Sequence, residues 1–326
     1  MALIALEHDA EKWVPVFGKA SCSNNKPKRD GDSKKSHHAL VRAPAGVALA
    51  VAALAALAVP AQPARAQGRV EATYRATLAG ISIGTGTWVI DIGAKQYAAA
   101  ASGRASGVMR VIVSGEGSST VRGAIKQGRL VPGNFAANIH SYESYDVRME
   151  LNGGNVKALT NEPPLVESPD RVPLTEAHRR GVVDPMTAFM ITVPGAGELV
   201  SEEACQRKLP IFDGRQRFDL ELSFKRMEVV ESEQGYRGPA VVCTASYIPI
   251  AGHRPGRYVI RYLQETRDIE IWLAPIAGTR VLVPYRISIP TLLGNAMLQA
   301  TQFDTEAQVA APTRASNPPG RPPRGS

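Results

Sequence analysis

A mainly β fold is what this chain predicts, built as a curled antiparallel sheet or open β-barrel with one or two short helices. Three observations carry the prediction. Apolar and polar residues alternate with period two in short runs from Val70 to Phe303, the pattern of half-buried strands. About a dozen such runs recur at roughly 8–15-residue spacing, with one helical insert near the middle. Twenty-nine Gly and 24 Pro interrupt the chain too often for a helical bundle. No repeat at roughly 20–50 residues is visible, which argues against a propeller or solenoid.

The elements follow in order. Val70, Ala72, Tyr74, Ala76 and Leu78 share one parity, with Glu71, Thr73, Arg75 and Thr77 opposite. After Gly80, Gly84 and Gly86 the alternation resumes at Trp88, Ile90 and Ile92, and glycines within such a pattern mark a bulge or bend. Tyr97 to Ala101, Thr120 to Ile125 and Asn134 to Tyr145 read as strands, while Ser106 to Ser114 fits strand or helix equally. Val147 to Leu151 and Val156 to Leu159 flank Asn152-Gly153-Gly154-Asn155, a hairpin signal. Residues 161–173 read as a connection, and a helical turn is expected around Leu174 to Arg180. The clearest helix starts at Asp184 as N-cap with Pro185 at its first position. It places Met186, Phe189 and Met190 on one face and ends at Pro194-Gly195. Beyond the turn Phe212-Asp213-Gly214-Arg215, four apolar rows predict strands: Phe218 to Phe224, Val241 to Tyr247, Tyr258 to Tyr262 and Ile269 to Leu273. Val281 to Ile289 and Met297 to Phe303 close the domain.

Composition sets the class. Hydrophobic residues are 44% and charged residues 21%, which is ordinary for a globular domain and excludes wholesale disorder. Residues 1–66 hold nine of the 38 cations and five of the 30 acids, so residues 67–326 carry 29 against 25, a net of +4. Those cations are scattered rather than interleaved with aromatics, so no nucleic-acid partner is expected.

The same N-terminal stretch indicates export. Arg42 precedes the uncharged run Ala45 to Val59, then Pro60, Pro63 and Ala64-Arg65-Ala66. A basic start, an apolar core and an A-x-A end make a secretory signal peptide, cut between Ala66 and Gln67. The core is shorter than the roughly 20 strongly apolar residues of a membrane span. No transmembrane span is therefore expected after processing, and the compartment is expected to be the periplasm. Residues 1–40 read as an over-extended start, because Val41 precedes a short basic segment of normal length; a genuine long leader is the alternative. The division is thus a leader over residues 1–66, one β-rich periplasmic domain over 67–306 and a disordered tail over 307–326.

Cys22 lies in the leader, and Cys205 and Cys243 remain. In an oxidising compartment two cysteines most often pair. A redox pair usually takes the form C-x-x-C, so these two read as a structural bridge.

No constellation of catalytic, metal or cofactor residues emerges. Gly80-Ile81-Ser82-Ile83-Gly84 matches G-x-S-x-G, but a nucleophile elbow needs a helix after the serine and a strand follows here. His140, His178 and His253 lack metal-ligand spacing. Asp219 and Glu221 share a strand face, yet that face is opposite the apolar row and is expected to meet water. Gly115-Glu116-Gly117-Ser118-Ser119-Thr120 lacks the third glycine of a dinucleotide loop and the lysine of a phosphate loop, and reads as a turn.

Asp184-Pro185-Met186, Cys205, Phe212-Asp213-Gly214-Arg215, Cys243, Ala251-Gly252 and Ile271-Trp272-Leu273-Ala274-Pro275 follow the early Gly80-Ile81-x-Ile83-Gly84 in fixed order. That order, behind a signal peptide, resembles the exported bacterial family called domain of unknown function 3108, over roughly residues 70–304. The resemblance implies a Gram-negative envelope protein with a curled β architecture, similar to the half-barrels, or β-spirals, of periplasmic lipoprotein carriers. It brings no established activity. Asp184, Pro185, Phe212, Asp213, Gly214, Arg215 and Gly252 are expected to be structural, and Met186 in place of the commoner Leu is harmless.

The expected function is non-catalytic: an envelope protein that binds lipid, lipoprotein or a partner segment in an apolar groove lined by rows such as Phe218, Leu220, Leu222 and Phe224. A hydrolase with dispersed active-site residues, or a pure scaffold, is the alternative, and the same rows serve equally as a filled core, in which case the carrier reading gives way to the scaffold. The mature protein should begin at Gln67; N-terminal sequencing of periplasmic material checks this, and retention of Ala45 to Val59 in membrane-bound protein would contradict it.

Overall fold

The computed structural model describes residues 67–106, 115–141, 144–231 and 236–308. The leader, the segment 107–114 and residues 309–326 lie outside the described residues. Within these, seven strands run as a meander: β1 (Gly68–Leu78), β2 (Ile81–Ile92), β3 (Gln96–Ala105), β4 (Glu116–Lys126), β5 (Arg129–His140), β6 (Tyr145–Asn152) and β7 (Asn155–Glu162). A long connection holds a 3-10 turn (Glu176–Arg179), helix α1 (Pro185–Ala188), the two-residue strand β8 (Ile191–Thr192) and a second 3-10 turn (Glu202–Ala204). Then come β9 (Arg207–Phe212), β10 (Arg217–Val230), β11 (Gly238–Ala251), helix α2 (Tyr258–Glu265), β12 (Ile269–Pro275), β13 (Val281–Thr291) and β14 (Gly294–Ala307).

Among the described residues these form one 14-stranded antiparallel sheet in the order β7-β6-β5-β4-β3-β2-β1-β14-β13-β12-β11-β10-β9, with β8 beside β13. The first and last strands pair in the middle, and the edges β7 and β9 share no ladder, so the barrel is open. The expected fold class is therefore the observed one.

Burial explains the two kinds of strand sequence. β1 alternates strictly between buried and more exposed positions, as its period-two pattern requires. β11 to β13 are covered on both faces. Ala240 and Val242 join one apolar cluster, with Val70, Tyr74, Phe135, Met149, Trp272 and Phe303. Val241, Cys243 and Ala245 join a second, with Ile191, Val193, Ile211, Leu220 and Leu263. Runs such as Ile271-Trp272-Leu273-Ala274 are accordingly buried throughout.

A bulge at Tyr285 lets β13 leave β14. Opposite it the register steps from Trp272–Arg286 to Leu273–Pro284, and the β13–β14 ladder stops at Arg286. Beyond that point β8 pairs with Leu282 and Val281 instead. The carbonyl of Pro284 accepts the buried Tyr74 hydroxyl at 2.7 Å, so β1 secures the place where the sheet divides.

Several expectations are corrected. The helix expected to run from Pro185 to Pro194 is one turn long, because Ile191 and Thr192 gain a ladder partner in β13. Tyr258, Ile260 and Tyr262 lie on α2, not on a strand. Ile260 and Leu263, three apart, form its buried side, and the rings of Tyr258 and Tyr262, four apart, stand 5.8 Å from each other. Gly117 to Thr120 lie within β4 rather than in a turn, paired to both β3 and β5. The expected strand Asn134 to Tyr145 divides, since β5 ends at His140 and β6 begins at Tyr145. Among the described residues no helix is long and apolar enough to cross a membrane.

Cys205 and Cys243 form a disulfide with their Cα atoms 5.4 Å apart, joining the end of the long connection to β11. Closing a loop of about 39 residues contributes about 4 kcal/mol by chain entropy. Replacing Cys243 by Ser should cost a few kcal/mol in a denaturant titration, and equal melting temperatures with and without reductant would contradict that role.

Candidate functional site

Asp184, Phe212, Asp213, Gly214, Arg215 and Gly252 come together at the open seam, whereas Gly80 to Gly84 lie at the β1–β2 turn and Ile271 to Pro275 lie in β12. Asp184 begins α1, its carboxylate accepting the Thr187 N–H at 2.9 Å. Just before it, the Val182 N–H donates to the Gly154 carbonyl at the β6–β7 turn (2.8 Å). On the other side Val183 N–H donates to the Pro210 carbonyl (2.9 Å), and Phe212 N–H donates to the Val183 carbonyl (3.0 Å). Two adjacent residues thus link both sheet edges.

The turn after Phe212 completes the fastening. The Asp213 carboxylate accepts the N–H groups of Arg215 and Gln216 at 2.7 and 2.6 Å. Asn161 of β7 donates to the Gly214 carbonyl at 3.1 Å, and the Arg215 guanidinium lies over the Tyr145 ring, 4.7 Å from its centre. Gly214 has a φ of +95°, and a Cβ there would stand 2.4 Å from the Val147 side chain. Gly252, at φ +81°, brings β11 so close that a Cβ would lie 2.1 Å from the Arg215 carbonyl. Only glycine fits either place. These contacts form a clasp between β7, the β9–β10 turn and the end of β11.

Other candidates separate. Ser82 of the G-x-S-x-G stretch lies on β2 opposite Thr77, with no helix after it. His140 ends β5, His178 closes a capping box with Thr175, and His253 follows β11, so the three sit on different elements. Among the described residues no three His, Cys, Asp or Glu side chains converge as a metal site would need. Asp219 was expected to face water; its side chain is only 4% exposed, because Lys208 (2.8 Å) and Arg217 neutralise it. Lys208 also reaches Glu221 at 3.1 Å, so the two acids are an ion-pair cluster rather than an acid and a base.

The apolar row Phe218, Leu220 and Leu222 is no open groove. It packs in one cluster with Val193, Val200, Ala204 and Cys205 of the long connection. Phe224 departs from it and is 39% exposed, next to a β-bulge that shifts the register between Phe224 and Arg226. Where α1 meets the sheet, Tyr74, Trp88, Met186, Phe189, Ile287 and Leu298 leave a space of about 40 Å³. Pockets for drug-sized ligands run to about 300–1,000 Å³, so this interior is core.

A larger cleft of about 600 Å³ opens at the end of the sheet that carries the β4–β5 and β12–β13 turns. Its wall combines apolar residues, including Ile92, Ile125, Leu130, Met190, Val193 and Leu209, with Arg129, Arg207, Lys208 and Arg280. Among the described residues no acidic one lines it. Arg207 donates to the carbonyls of Thr192 and Glu203 at 3.0 and 3.1 Å, and burial pushes its pKa down. Arg280 donates to the carbonyls of Val193 and Gly197 at 2.9 and 3.0 Å. Sequence reasoning missed this cleft because its cations lie on three separate segments and form no run.

Fold and clasp together define an open, β-barrel-like sheet protein closed by its own long connection. Residues 73–301 match the model of the family described as a protein of unknown function, DUF3108, and this chain belongs to that family. No curated protein matches the sequence. Among solved structures, the beta-barrel-like protein of domain of unknown function DUF1849 from Brucella abortus is similar at 9% identity and a TM-score of 0.40, over 74% of this chain and 98% of that one.

Asp184 adds a pH dependence. Burial raises its pKa from 3.8 to about 6, against the lowering effect of the Thr187 hydrogen bonds. A carboxyl whose folded pKa lies above its unfolded value binds more protons in the native state, so its contribution is full at low pH and lost as pH rises through both values. Relative to an Asp184→Asn variant, which keeps the cap acceptor, the wild type should lose about 3 kcal/mol between pH 3.5 and pH 7. Urea titrations at both pH values check this; a constant difference would contradict it.

Proposed function

We propose that this protein is an exported, non-catalytic binding protein of the bacterial envelope, and that its ligand docks in the cleft of about 600 Å³ rather than inside the curl. One observation carries the reading. The interior is filled by the chain's own connection, whereas the cleft has the volume and the mixed apolar and polar lining of a ligand site. The non-catalytic part is supported by Ser82 lying within a strand and by Asp219 and Glu221 being neutralised by Lys208. Export is supported by the leader sequence up to Ala66, and the periplasm is the compartment that such a leader and the disulfide suit. A scaffold role is the second reading, favoured by the same packed interior.

Native mass spectrometry of protein purified from the periplasm tests the choice. A bound small-molecule mass, lost in a Leu209→Glu variant of unchanged melting temperature, is the expected result. Bare protein from wild-type cells would transfer the conclusion to the scaffold role.

A further inference from the structure

We propose that the cleft selects an anionic amphiphile, a phosphate or carboxylate head on an apolar chain, with Arg207 and Arg280 receiving the head. This rests on the binding reading above and adds the chemistry of the ligand.

The charge inventory of the cleft is one-sided. Of its four cations, Lys208 is already committed to Asp219 and Glu221. Among the described residues Arg207 and Arg280 meet only backbone carbonyls. Those carbonyls belong largely to one stretch, Thr192 to Gly197, so the two guanidinium groups are fixed in place while their charge stays uncompensated. Each also keeps a buried nitrogen with no acceptor, Nε of Arg207 and Nη2 of Arg280. Arg129 adds a third unpaired cation from the β4–β5 turn, where it faces Lys126 across the hairpin.

A partly buried guanidinium without an anion is unfavourable, and a planar fork of donors matches a carboxylate or phosphate. An anionic head in the cleft would supply the missing counter-charge. The rest of the wall fits a chain: Ile92, Ile125, Leu130, Met190 and Leu209 are apolar. Sugar headgroups or neutral chains would leave the arginines as they are.

Calorimetric titration of the purified chain decides the matter. The probes are dodecyl phosphate, dodecyl maltoside and inorganic phosphate, the detergents below their critical micelle concentrations. Dodecyl phosphate should bind about tenfold or more tightly than either other probe, less so at high salt. Arg207→Gln and Arg280→Gln should each weaken it about tenfold. Because both residues also hold the connection, Arg129→Gln provides the control: it should weaken dodecyl phosphate about threefold at unchanged melting temperature, since the Arg129 side chain makes no hydrogen bond or ion pair among the described residues. Equal binding of phosphate and maltoside detergents would overturn the selectivity and leave an apolar site. Inorganic phosphate binding as tightly as dodecyl phosphate would overturn the amphiphile and leave a free-anion site. If none of the three binds, the inference fails, while the co-purified mass still judges the binding reading separately.

Discussion

A sheet whose first and last strands pair in its middle must end on two other strands, and their unpaired backbone groups govern the rest of this structure. β1 lies against β14, so the edges are β7 and β9. Exposed edges invite pairing with other chains. Here they are consecutive large strands in the sequence, and the connection between them is routed along the gap. Val182 and Val183 bond one edge each way. Asp184, the Asp213-Gly214 turn, Gly252 and the disulfide all hold that connection in position.

Routing the connection there has a price in open volume. Met186 and Phe189 fill the space that an open barrel would offer a lipid, and Val193 to Cys205 cover the second apolar face. The sheet is most divided where β13 parts from β14 and accepts β8. The cleft lies at that end, walled by the connection itself. Two of its cations are therefore part of the fastening as well as of the wall: Arg207 and Arg280 hold carbonyls of the connection and line the cleft.

How legible these features were depends on whether the signal was local. The alternation in β1, the Asn152–Asn155 hairpin and the Asp184-Pro185 cap depend on neighbours a few residues away. Each is visible in sequence because period and turn chemistry are set by the backbone itself. Tyr258 to Tyr262 misled because, over five residues, a period of two and a period of 3.6 share most of their apolar positions. The length of α1 was hidden because Ile191 ends the helix only by meeting Leu282, a residue 91 positions later. Asp219 misled for a related reason: its burial depends on Lys208 across the sheet.

The sequence alone thus determined the β class, the order of most strands and the cysteine pair, all of which rest on local periodicity, composition or spacing. Only the tertiary structure decided that the sheet stays open, that the connection fills its interior, and that Arg129, Arg207 and Arg280 border one cleft with no acid among its described residues. Those outcomes depend on which distant backbone groups are left unpaired and which charges meet no counter-charge. Such facts exist only once the chain has brought separate segments together.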